Sequence, residues 1–167
     1  MNQVLHVGKL GEAIYSSCGR HRYLLNYQWD ENKKPVHFIG LNPSSASPDR
    51  PDPTLNRCIS YSKKWGYGGL FITNLFSFIS ADPKILKNYD APFDERTDYW
   101  IKKVSGVCDR NILIWGNHGS FQSRNLKVLK YLKNSYCLST NKNGSPSHLL
   151  YLPGNCDLKY YSSTEMF

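Results

Sequence analysis

Apolar positions fall into short continuous runs along this chain, and the runs end in a recurring way. Val36 to Leu41, Leu70 to Asn74 and Asn111 to Trp115 read as strands buried on both faces, because apolar residues follow one another instead of alternating. The first stops at Asn42-Pro43, where proline has no amide hydrogen with which to continue a ladder. The second stops at Asn74 and the third at Gly116-Asn117-His118. A fourth strand is predicted over Tyr136 to Ser139, and His148 to Leu152 re-enters the core.

Helical spacing fills the intervals. Over Thr54 to Trp65, Leu55, Cys58, Ile59, Ser62 and Trp65 share a face, with Asp52 or Thr54 as the cap. Asp98 to Cys108 aligns Trp100, Ile101, Val104 and Val107 or Cys108. Ser123 to Leu132 is predicted to turn Leu126 and Leu129 inward and Arg124, Lys127 and Lys130 outward. Strands alternating with helices predict an α/β fold with a mostly parallel sheet covered by helices. Right-handed crossovers then bring successive strand ends to one rim, where ligands bind in such sheets. Asn42, Asn74, Gly116 to His118 and His148 are therefore expected to converge, although Asn42-Pro43 with its serines would serve equally as an ordinary turn.

The flanks are less regular. Cys18 to Trp29 fits an edge strand or a short helix carrying Arg20, His21 and Arg22, a basic triplet suited to phosphates or to plain solvation. The chain is expected to form one domain over 1–167, with 1–30 as an extension packed on it and 153–167 as a tail.

Composition sharpens the picture at a few points. Hydrophobic residues make up 40% and aromatics 14%, which excludes a disordered chain. The formal charge of +8 suits an anionic partner, nucleic acid among others. Five cysteines, at 18, 58, 108, 137 and 156, are odd in number and form no CxxC pair, so reduced thiols in the cytoplasm are expected. No metal spacing, GxxxxGK, GxGxxG or GxSxG occurs, so no metal or cofactor is expected. No apolar run is long enough to span a membrane.

Candidate chemistry rests on the strand tips. An asparagine offers one carbonyl and one amide, enough to hold a water or match a base edge, but it is no general base. Trp65 and Tyr67, between glycines, and Phe76 are aromatics able to stack on a base. Ser44, Ser45, Asp52, Thr54, Asn117 and His118 supply further polar groups near the expected rim.

Two resemblances follow from these motifs. Phe38-Ile-Gly-Leu-Asn-Pro-Ser44, Asp52-Pro-Thr54, Arg57-Cys58, Trp65-Gly-Tyr-Gly-Gly69, Asn74-Leu-Phe76, Trp115-Gly116 and Gly144-Ser-Pro-Ser-His148 with Tyr151 resemble a family of small bacterial and phage proteins known as a domain of unknown function. More distantly, Gly40-Leu-Asn-Pro-Ser44 is similar to the GINPG motif of the mismatch-specific branch of the uracil-DNA glycosylase superfamily, Phe71-Ile-Thr-Asn74 to its strand-terminal asparagine, Leu113-Ile-Trp-Gly116 to its LLWG segment, and His148 to the histidine of its HPSP-like motif. Here Leu149 replaces the proline of that last motif.

The distant resemblance implies a three-layer α/β sandwich with a short, mostly parallel central sheet, and a monofunctional DNA glycosylase acting on a flipped-out damaged, mismatched or modified pyrimidine. Asn42 would position the water and His148 would stabilise the departing base. Leu41, Trp65, Tyr67, Asn74 and Phe76 would contact the base. Arg20, Arg22, Arg57, Lys63, Lys64 and Arg124 would meet the phosphates of single-stranded or duplex DNA. The chain would work as a monomer in repair, base-modification control or antiviral defence. A noncatalytic nucleic-acid-binding module and an enzyme of free nucleosides or nucleotides are the alternatives.

Overall fold

The computed structural model describes residues 2–162. Its centre is one eight-stranded sheet in the order β1-β2-β3-β5-β4-β6-β7-β8. The strands are β1 (Gln3–Val7), β2 (Gly11–Ser16), β3 (Arg22–Gln28), β4 (Pro35–Gly40), β5 (Gly69–Asn74), β6 (Asn111–Leu113), β7 (Ser135–Cys137) and β8 (Lys159–Tyr160). β5, β4, β6 and β7 run parallel, whereas β1 to β3 on one side and β8 on the other are antiparallel. The sheet is therefore mixed, with a parallel centre, where the sequence predicts a mostly parallel one.

Side chains alternate across this centre. Phe38, Leu70, Ile72 and Ile112 join one cluster with Leu55, Cys58 and Tyr61 of α1 (Pro53–Lys64). Ile39, Leu113 and Leu75 join the other with Leu86 of α2 (Pro83–Asn88), Ile101 of α3 (Glu95–Val107) and Val128 of α4 (Arg124–Leu129). Helices thus cover both faces, as runs of consecutive apolar residues require. Between the strands lies a buried polar link: His37 bonds Asn111 Oδ1 through Nδ1 and Thr73 Oγ1 through Nε2, each at 2.7 Å.

Local chemistry fixes the helix starts. Asp52 accepts from the Leu55 amide and Pro53 opens the first turn of α1. Asp94 and Thr97 form a reciprocal capping box on α3.

Three expectations need correction. Residues 1–30 are no appendage: they supply β1 to β3, and β3 pairs directly with β5. The segment after 153 adds β8 to the sheet and buries Tyr161, while the expected tail from 163 lies outside the described residues. The face predicted for α4 holds for Leu129, which packs against the core, and for the exposed Lys127 and Lys130, but Leu126 and Arg124 exchange places: Leu126 is exposed and Arg124 is 1% exposed. Gln122 and Ser123 adopt left-handed conformations that break the chain before the helix. Its phase is set instead by the Arg124 guanidinium, which donates to Leu75 O and to Asp98 Oδ1.

A strand-end cleft as candidate functional site

Topology gathers the polar tips. β4, β5 and β6 are parallel, so their carboxyl ends share one rim, and β3, antiparallel to β5, brings its first residue, Arg22, to the same rim. A cleft of about 910 Å³ opens there. That is room for a ligand well beyond a single base. It is lined by Arg22, Leu41, Asn42, Ser44, Asp52, Thr54, Asn74, Asn117, His118 and His148 from the candidates read in the sequence, and by Trp115 and Tyr151.

Asn42 is held rigidly. Its amide nitrogen donates to the carbonyls of Ser80 at 2.7 Å, Pro43 at 3.1 Å and Phe78 at 3.4 Å. This fixes the side-chain orientation and leaves Oδ1 as an acceptor for something in the cleft. Asn74 packs against Gly40, where a Cβ would stand 2.6 Å from Asn74 Oδ1. Its side chain is 5% exposed and its Nδ2 has no acceptor in the protein.

His148 is the cap of a short 3₁₀ turn, Leu149–Tyr151, and its Nδ1 accepts from the Leu150 amide at 3.3 Å. A neutral ring with Nδ1 as acceptor carries its proton on Nε2, so this imidazole presents a donor. Burial pulls His148 below the ordinary histidine range, with the nearby Asp52 carboxylate opposing that shift. The turn is clamped by α1. Arg57 donates to the carbonyls of Leu149 and Leu152, Tyr61 to Pro153 and Lys64 to Gly154. On the other side, Asn117 accepts from Asn141, which accepts from Ser147, the residue before His148.

Other sequence-derived residues stand elsewhere. Trp65 stacks against Tyr61 and Phe38, and Tyr67 is buried in the same cluster, so neither reaches the cleft. The glycines around them terminate α1 and admit β5 instead of presenting a loop. Phe76 is fully buried beside Phe93 and Phe121. Ser45 is exposed but does not line the cleft.

Of the basic residues, Arg22 is 4% exposed and donates to Ala46 O, and Arg124 is engaged with Asp98. Arg57 is committed to the His148 turn. Arg20, Lys63 and Lys64 stay exposed, the latter two lying over Trp29 and Tyr61. The aromatics that do line the cleft are Trp115, at the end of β6, and Tyr151, 88% exposed at the rim beside His148. Both stand in the quoted motifs, and their positions after a strand and after His148 are the signal that points to them.

Among the described residues no group of three or more His, Cys, Asp or Glu is arranged to hold a metal ion. No described helix is long and apolar enough to cross a membrane.

Sheet order and cleft define an α/β protein with a pocket at the carboxyl ends of its central strands. The chain belongs to the family described as a protein of unknown function, DUF1643, whose model matches residues 22–150. The match begins at Arg22 and takes in every cleft residue named above except Tyr151. Neither the curated proteins nor the solved structures compared with it gave a match.

Proposed function

We propose that the protein is an N-glycosylase that hydrolyses the bond between a pyrimidine base and its sugar, with DNA carrying a flipped-out base as substrate. The observation that carries this reading is that Asn42, Asn74 and His148, distant in sequence, line one cleft. Cleavage leaves positive charge on the sugar and negative charge on the base, so groups fixed in advance are worth more than strong bases. In this reading Asn42 Oδ1 holds the water beneath the anomeric carbon. The carbon–nitrogen bond breaks with its electron pair passing to the base, the water oxygen bonds to the sugar cation, and the water's proton leaves last to solvent, from which the base anion takes up its own proton. The Nε2–H of His148 and the Asn74 amide stabilise the anionic base, and the Asp52 carboxylate favours the sugar cation.

The test is incubation of the protein with oligonucleotides bearing normal, mismatched and modified pyrimidines, followed by alkaline strand cleavage and mass spectrometry of released bases. Release is expected from at least one substrate, and Asn42→Ala is expected to slow it by about 10²-fold or more. No release across the panel overturns the reading.

One observation favours a second substrate form. Arg22 and Arg124 are buried and Arg57 is tied to the His148 turn, which thins the set of cations free to meet a DNA backbone. The same reaction on free nucleosides or nucleotides needs no such set, and offering both forms in parallel separates the two.

A further inference from the structure

Arg22 is the observation that the catalytic reading leaves unused. It is a cleft residue, 4% exposed, and one guanidinium nitrogen donates to Ala46 O at 2.6 Å. Its Nε has no acceptor, and among the described residues no carboxylate lies within ion-pair distance of it. A buried cation without a paired anion is costly, and proteins normally supply the partner. Burial indeed depresses its pKa, with Tyr15, Asp52 and Tyr27 opposing, although arginine remains charged. Of these three, Asp52 lines the cleft, and it spends one oxygen on the cap of α1.

Two other cleft residues carry unpaired groups of the same polarity. Asn74 Nδ2 and Trp115 Nε1 are also buried and without acceptors, and both residues line the cleft. Among cleft residues, the buried side-chain atoms left unpaired are thus all N–H donors. Such an arrangement demands a ligand rich in acceptors, and beside a guanidinium the favoured acceptor is an oxyanion, which takes parallel N–H bonds.

We infer that the cleft binds a pyrimidine derivative bearing an oxyanion, a carboxylate on the base or the phosphate of a nucleotide, with Arg22 as its counter-ion. The inference rests on the nucleobase reading above and narrows its substrate class. The volume of about 910 Å³ leaves space for such a group beside the base.

Calorimetric titration of the wild-type protein tests this with matched pairs: uridine against uridine monophosphate, and 5-carbamoyluracil against 5-carboxyuracil, with inorganic phosphate as a further titrant. The charged member of one pair is expected to bind at least tenfold tighter than its neutral partner, and the pair that discriminates identifies the source of the oxyanion. In Arg22→Gln that preference is expected to disappear, while Arg22→Lys retains part of it. If Arg22→Gln does not fold, the wild-type comparison still decides. Equal affinities within both pairs overturn the role of Arg22 and leave the nucleobase reading standing. Binding of phosphate without any pyrimidine keeps the anion site and overturns the pyrimidine ligand. No binding by any titrant overturns the inference, while base release from oligonucleotides decides the N-glycosylase reading separately.

Discussion

Single residues in this cleft differ sharply in how much freedom they have. Asn42 is pinned by backbone carbonyls, His148 by one amide and a turn, and Arg57 holds that turn. Because burial lowers the pKa of His148, its neutral, donating form persists below pH 6.5. Base release is therefore expected to hold its plateau through that value and to fall only in more acid buffer. His148→Gln, which donates without titrating, should lose the acid limb; a pH–rate profile with circular dichroism at each pH checks both. Arg57→Ala removes a charged donor from two carbonyls and is expected to cost about 1–3 kcal/mol, read from urea denaturation. Binding by that variant should weaken more than its fold does, since the turn it releases carries His148.

Elements divide into those whose sequence pattern decides their fate and those decided by a single contact. α1 and the central strands belong to the first kind: consecutive apolar residues and an Asp-Pro start leave few alternatives, and β5 ends at the expected Asn74 while β4 ends at Gly40, two residues short of Asn42. α4 belongs to the second. Periodicity there turns a leucine inward, yet the buried pair of Arg124 with Asp98 outweighs it. Burial raises the Asp98 carboxyl, but the bonds and charges of Arg124 and Lys127 hold it below its usual value.

Such a pair is invisible locally, because its members are brought together only by α3 and α4 packing. Arg124→Met is expected to destabilise the protein by about 1–3 kcal/mol, by taking the donor from the Leu75 carbonyl and leaving Asp98 to Lys127 and Tyr131. Trp65 and Tyr67 escaped for the mirror reason: flanking glycines read as a loop, while Phe38 and Tyr61 supply an apolar bed that only the assembled sheet provides. Asp52 joins both kinds, as cap and as cleft carboxylate. Asp52→Ser keeps the cap and should retain stability while slowing base release, whereas Asp52→Ala should add a loss of about 1 kcal/mol; melting curves and kinetics on both variants separate the roles.

At the scale of the whole molecule, the buried histidines set how the fold responds to acid. Burial pulls His37 down to about 4, with the Asn111 hydrogen bond opposing. An unfolded histidine takes its proton near pH 6.5, so below that value the unfolded chain binds a proton that the native protein refuses. Stability is full above pH 6.5 and is lost as pH falls toward 4, by about 3 kcal/mol for His37 alone. His21 and His148 shift the same way. The urea midpoint is expected to fall between pH 7 and pH 5, and to fall less in His37→Leu.

The cleft draws its walls from β3, β4, β5, the end of β6, the start of α1 and the turn at 148, so no fragment of the chain owns it. Whatever fits there recognises the native state alone and raises the melting temperature by mass action, about 2.7 kcal/mol of added stability at a hundred times its dissociation constant. A heating curve run against a library of small anions and pyrimidines would thus let the molecule nominate its own ligand, with no assumption about the reaction.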